Sequence, residues 1–288
     1  MFEAIESPYL VPFDETFNLK KSPTIPVDLP SKKVCNKALK SAVKELAELQ
    51  RVLYANGNHS ILLVFQAMDA GGKDSTIRHV LSGVNPAGCQ VTSFKQPSSE
   101  ELDHDFLWRT AKRLPALGRI GVFNRSYYED VLIARVHPDL INRSRLAEYK
   151  NINTLWDERY ESIKDHELHL ARTGTVVLKF WLNVSKDEQM ARFLSRLKKP
   201  EKHWKFSEAD LSERELWPKY MNAYKSALSV TSKPWAPWYA IPADNKHYMR
   251  MRVAQLVVDA MKSLALEYPT VSKDDKEHFK VLQDELAK

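Results

Sequence analysis

The sequence predicts an α/β fold, a parallel sheet flanked by helices on both faces. Three observations lead there. Strand-like apolar runs alternate with segments of helical periodicity from residue 61 onward. Several of those runs, 175–183 above all, are close to continuously apolar, as strands covered on both faces must be. The first run, Ser60–Phe65, leads through a glycine-rich turn with a lysine, Asp69-Ala70-Gly71-Gly72-Lys73-Asp74, into a helix-like segment.

The elements follow in order. Residues 1–30 contain Pro8, Pro12, Pro23, Pro26 and Pro30 and read as an extended arm on the surface. Leu39, Ala42, Val43, Leu46, Leu49 and Leu53 recur at helical spacing, and Gly57-Asn58 ends that helix. Strands are expected over 61–67, 89–94, 119–124, 175–183 and 237–241. Helices are expected over 73–82, 98–113, 126–135, 151–172, 185–198, 212–230 and 246–266. Two begin with capping boxes, Ser98 with Glu101 and Ser185 with Glu188. Residues 31–266 read as one domain, and 267–288 as a charged, peripheral tail.

With 43% hydrophobic and 10% aromatic residues, 288 residues suffice for a substantial core. No apolar run is long enough to span a bilayer, and the N-terminus lacks the pattern of a secretory signal. Cys35 and Cys89 are too few for a disulfide framework and lack metal-ligand spacing, so inert thiols in the cytoplasm are expected, with no membrane partner. The net charge of +6 favours anionic partners: phosphates, nucleic acid or an acidic membrane surface.

The glycine-rich turn carries the chemistry. Backbone N–H groups of Ala70, Gly71, Gly72, Asp74 and Ser75 can hold phosphate oxygens while Lys73 adds positive charge. The turn departs from the Walker pattern at Ala67, where glycine is usual, and at Asp74, where a hydroxyl is usual. Without that hydroxyl the customary magnesium ligand is missing, which makes Asp69 the candidate. Ligands of open parallel sheets bind beyond the strand ends, which here supply Lys95, Asn124, Arg125, Glu129, Asp130 and, after the last strand, Asp244-Asn245-Lys246. Lys73 and Arg125 suit a string of phosphate oxygens, and Asp69 with Glu129 suits hydrated magnesium. The plainer readings are a helix cap for Asp69, a surface ion pair for Arg125 and a first-turn acid for Glu129.

Arg192, Arg196 and Lys199 share a helical face, and Lys202, Trp204 and Lys205 follow Pro200. This stretch, about 192–212, reads as a lid that brings arginines over transferring phosphates, with a solvated helix face as the alternative. Such arginines contribute roughly 10³ in rate in other phosphoryl-transfer enzymes. Arg109 and Arg113, with Lys95, either continue a positive track or are surface charge.

Ala67–Asp74, Asn124-Arg-Ser-Tyr-Tyr-Glu129, Pro200–Lys205 and Ala236–Asp244 together resemble polyphosphate kinase family 2. The resemblance covers most of residues 35–266. It implies a thymidylate-kinase-like P-loop kinase fold with three layers and a helical lid. It also implies magnesium-dependent phosphoryl transfer between inorganic polyphosphate and adenine nucleotides, with guanine nucleotides as a further acceptor class. By motif position Asp69 and Lys73 match the Walker A aspartate and lysine, and Arg125 matches the Walker B arginine. Arg192 and Arg196 match lid arginines, with Lys202 and Lys205 in the lid stretch. Many members have aspartate at position 124. Asn124 with Glu129 resembles the branch that phosphorylates both AMP and ADP. A homo-oligomer, dimer or tetramer, without nucleic acid is expected. On the residues alone, an ATP-dependent nucleotide kinase, a nucleotide switch and a non-catalytic nucleic-acid-binding protein stay open, although the last leaves the Gly71-Gly72-Lys73 turn unexplained.

Overall fold

Five strands define the centre of the molecule, in a computed structural model that describes residues 1–143 and 151–288. They are β1 (Ser60–Gln66), β2 (Cys89–Ser93), β3 (Ile120–Asn124), β4 (Thr175–Asn183) and β5 (Trp238–Pro242). All neighbours run parallel in the order β2-β3-β1-β4-β5. Every residue of β1 and β4 is buried, which is why their sequences read as continuous apolar runs rather than alternating ones. In the register, Phe65 of β1 lies opposite Asn124 of β3 and Phe180 of β4. The carboxyl ends of the three central strands therefore reach the same rim.

Helices cover the sheet. On one face α1 (Lys32–Asn56), α2 (Lys73–Val80) and α10 (Lys246–Ser263) pack together. In chain order the short helices α3 (Ser99–Leu102) and α4 (Trp108–Ala111) come next after α2. The other face carries α5 (Glu129–Val136), α6 (Ile152–Arg172) and α9 (Trp217–Thr231), while α7 (Lys186–Leu197) and α8 (Ala209–Glu215) lie near the rim. Gly57 ends α1 with φ 69, donating its N–H to Leu53 O, so the expected stop is a left-handed cap. Among the described residues, no helix is long and apolar enough to cross a membrane.

Several expected elements change. The helix expected over 98–113 is two short ones, because Asp105 Oδ1 accepts from the N–H groups of Leu107 and Trp108 and starts a new turn. The helix over 212–230 breaks at Leu216, where Pro218 occupies the first turn of α9 and its ring excludes continuation from α8. The helix expected from 126 begins at Glu129. Ser98 and Glu101 form a complete capping box, but Ser185 and Glu188 form half of one. Glu188 pairs with Arg192 instead, and Ser185 N–H donates to Asp244 Oδ1. The tail contains a helix that the sequence reading did not contain, α11 (Lys273–Leu286), exposed along its whole length.

The arm does more than lie on the surface. Val11 N–H donates to Trp238 O, Ala240 N–H donates to Tyr9 O, and Leu10 bridges Tyr239 antiparallel. Residues 9–11 thus cover the outer edge of β5. An ion pair lies in the core: Lys179, with no exposed surface, donates to Glu167 Oε2, Tyr128 OH and Thr231 O, and Glu167 is 1% exposed. The hydroxyls of Tyr127 and Tyr128 donate to Glu167 Oε1.

Candidate active site

The turn after β1 is shaped by close approach. A Cβ on Gly71 would lie 2.6 Å from Ala67 Cβ and 2.7 Å from Met68 O, so only glycine fits. Gly72 has φ 105, and Ala70 is left-handed at φ 58, which costs an L-residue about 1–2 kcal/mol. Two side chains of α7 hold this strained backbone from behind. Gln189 Nε2 donates to Asp69 O at 2.9 Å, and Arg192 Nη1 donates to Ala70 O at 3.0 Å. Lys73 Nζ folds back across the loop and donates to Ala67 O at 2.7 Å. Burial lowers its pKa and Arg125 lowers it further, against Asp69 and Glu129.

Arg125 stands at the end of β3, also left-handed at φ 65. Its N–H donates to Phe65 O, Nη2 donates to Asp69 Oδ1 at 3.0 Å, and Nη1 lies 3.8 Å from Glu129 Oε2. Burial opposes its charge, but Glu129 and Asp69 outweigh burial and raise its pKa. Burial raises the pKa of Glu129, against Arg125. Asn124 Nδ2 donates to Asp74 Oδ1 at 2.6 Å and so ties β3 to the start of α2. Among the described residues, no group of three or more acidic, histidine or cysteine side chains gathers as a metal centre.

These groups open onto a cleft of about 880 Å³. Nine lysines and arginines line it against three carboxylates, so an anion is its electrostatic complement. Residues 69–75, Lys95, Asn124, Arg125, Arg192, Arg196 and Lys202 are brought together there. Arg78 of α2 and Lys246 and Arg250 of α10 join them. The sequence reading missed Arg78 and Arg250. The only local signal was the i,i+4 spacing of Lys246 and Arg250. The pKa of Arg250 is lowered by burial and by Arg78 and Arg192, and that of Lys246 by burial and by Arg192. The cations therefore repel one another until an anion screens them.

Other expected site residues fall elsewhere. Arg109 does not line the cleft. It is 7% exposed, donates to Lys95 O at 3.1 Å, and stacks its guanidinium over Phe94. It braces the strand end that presents Lys95. Arg113 is exposed and also outside the cleft lining. Glu129 lies behind Arg125, bonded to Gln66, and does not line the cleft. The side chain of Lys205 lies outside the described residues. Arg192, expected on a mobile lid, is 6% exposed and acts as a strut. Its Nε donates to Glu188, Nη1 to Ala70 O and Nη2 to Ala243 O. Arg196, one turn on, pairs with Asp210 of α8 at 3.6 Å and reaches the cleft.

Comparison with known proteins places this geometry. A family model described as polyphosphate kinase 2 matches residues 30–269. The chain is 51% identical over 259 residues to an ADP-polyphosphate phosphotransferase of Rhodopseudomonas palustris, covering 90% of each chain. It is 45% identical over 240 residues to an AMP/ADP-polyphosphate phosphotransferase of Meiothermus ruber, covering 83% of this chain and 85% of that one. The crystal structure of polyphosphate kinase 2 from Arthrobacter aurescens superimposes with a TM-score of 0.87 at 39% identity, covering 98% of this chain and 99% of that one.

Proposed function

The chain belongs to the polyphosphate kinase 2 family, and from that premise we propose that it transfers phosphoryl groups between inorganic polyphosphate and both AMP and ADP. Its sheet and helices are those of a P-loop kinase. The observation that carries the reading is the nine-cation cleft, which continues past the phosphate loop to Arg78, Lys246 and Arg250. One nucleotide does not call for that third group of cations; a phosphate chain does. Family membership sets aside the nucleic-acid-binding and ATP-dependent alternatives.

In this reading Lys73 leaves Ala67 O when phosphate arrives and takes an oxygen of the donor. The N–H groups of Ala70, Gly72, Asp74 and Ser75 hold the same phosphates, since that of Gly71 is engaged by Met68 O, and Arg125 and Arg196 meet charge that builds up during transfer. Catalysis needs no protein nucleophile, because the acceptor phosphate is already anionic and positioning supplies the rate. Arg192 and Gln189 contribute by keeping the loop in its binding shape. The 45% identity to the AMP/ADP-polyphosphate phosphotransferase of Meiothermus ruber supports the AMP- and ADP-accepting branch.

Magnesium fits this site in the manner of phosphoryl-transfer enzymes, with few carboxylates and several water or phosphate oxygens. Asp69 would hold it, with Asp74 as its neighbour across the loop. Glu129, engaged with Arg125 and Gln66, falls out of the ligand set. When bound, the ion neutralises phosphate oxygens and aligns them.

The test is direct. The protein is incubated with magnesium and long-chain polyphosphate, and separately with AMP, ADP, GMP or GDP, and products are identified by chromatography. ADP from AMP and ATP from ADP are expected, both abolished by chelation and restored by magnesium. Phosphorylation from ATP but not from polyphosphate would sink the proposal.

A further inference from the structure

Among the described residues, three side chains of α8 make polar contacts with the rest of the molecule. Asp210 faces Arg196. The Glu213 carboxylate accepts from Tyr220 OH and lies 2.9 Å from His137 Nε2. Arg214 Nη1 donates to Lys186 O at 2.7 Å and to Gln189 Oε1 at 3.1 Å. The Arg214 contact reaches the phosphate loop through Gln189. Gln189 is 1% exposed, and its Nε2 donates to Asp69 O at 2.9 Å. One buried amide thus bridges α8 and the loop.

The orientation of that amide is forced by chemistry. A guanidinium only donates and a carbonyl only accepts, so oxygen must face Arg214 and nitrogen must face Asp69. Neither partner can be exchanged without stranding the other. Asp69 precedes left-handed Ala70 and carries the carboxylate that pairs with Arg125. Fixing the Asp69 carbonyl therefore fixes the peptide plane from which both the anion cradle and that carboxylate depart.

We infer that Gln189 is a positioning residue for phosphoryl transfer, and that Arg214 on α8 keeps it in place. Movement of α8 frees one end of the amide and loosens its hold on the loop. Lid position and loop shape are then coupled through a single side chain that touches no substrate. The kinetic part of this inference rests on the polyphosphate reaction; the structural part does not.

The test separates the two. Gln189→Glu keeps the size and the acceptor for Arg214 but cannot donate to Asp69 O. Amide exchange is followed by NMR at Gly71, whose N–H donates to Met68 O. Exchange should speed up about tenfold in the free protein, the size of one lost hydrogen bond. Turnover should fall by a similar factor while KM for the nucleotide stays near wild type. Arg214→Ala should give the same split, and Arg214→Lys should restore most of the rate. The Gln189→Glu/Arg214→Ala double variant should be no slower than the slower single variant, since both act through one link. If Gln189→Glu does not fold, Gln189→Met removes both contacts without adding charge and should show the same loss. Unchanged Gly71 exchange in the folded variant, or rate losses that multiply, would overturn the inference. A wild-type protein inactive with polyphosphate would overturn the functional reading and leave the exchange result standing.

Discussion

Removing the Lys179 ammonium should destabilise the fold far more than removing the whole ion pair. Lys179 Nζ lies between Glu167 Oε2, Tyr128 OH at 2.9 Å and Thr231 O at 2.8 Å, with no exposed surface. Burial, opposed by Glu167, brings its pKa down to about 8, and burial raises that of Glu167. In Lys179→Met the Glu167 Oε1 keeps its two tyrosine hydroxyls, but Oε2 loses its cation inside the core. Breaking one side of such a pair costs about 3–5 kcal/mol. For a protein of this size each kcal/mol lowers Tm by about 2–4 °C, so the transition should fall by about 10 °C. The double variant Lys179→Met/Glu167→Gln removes both charges, and the introduced amide keeps an acceptor for the tyrosines. It should recover at least half of the loss. Scanning calorimetry at pH 7.5 on wild type, both single variants and the double variant measures this. A single variant within about 1 kcal/mol of wild type, or a double variant as unstable as the summed singles, would refute the reasoning.

Three further outcomes are expected. Lys73→Ala should lower turnover roughly 10³-fold with little change in Tm, because its charge acts on the transferring phosphate; full activity in the folded variant would remove the proposed site. Arg78→Ala and Arg250→Ala should each raise KM for long-chain polyphosphate about tenfold, the scale of one charge-assisted contact, and flatten its salt dependence; an unchanged KM in both would place the phosphate chain elsewhere. Burial pushes the Cys89 thiol up to about 11 and also raises Cys35. Native alkylation by iodoacetamide should therefore be slow at pH 8 and climb as pH approaches 11, and fast modification at pH 8 would contradict this.

The strands were legible because their centre is buried on both faces, which leaves a composition signature in 61–66 and 175–183. The glycine turn was legible because close approach at Gly71 leaves no alternative residue. Helix breaks at His104–Phe106 and Leu216 were not, since the first depends on one Asp105 side chain and the second on a proline one position inside the next helix. Charge was the least legible property. Arg109 and Arg192 read as surface or lid cations, yet each is buried by partners distant in sequence: Phe94 and Lys95 for one, Ala70 and Ala243 for the other. The converse holds for Arg78 and Arg250, which meet in the cleft only because α2 and α10 pack side by side.

The pairing of residues 9–11 with β5 bears on the order in which the molecule assembles. Ile5 and Tyr239 exchange hydrogen bonds across 234 positions, and Tyr9 and Tyr248 hydroxyls meet 2.6 Å apart. Phe17, Ser22 and Pro23 meet Trp181 and Asn183 of β4, but a ribosome must deliver β5 before residues 5–11 have a strand to pair with. Until then residues 5–11 wait unpaired while β1 to β4 are free to dock. The contacts of greatest sequence separation are therefore the last whose partners are synthesised, which makes the seam between arm and β5 a late event in assembly on the ribosome.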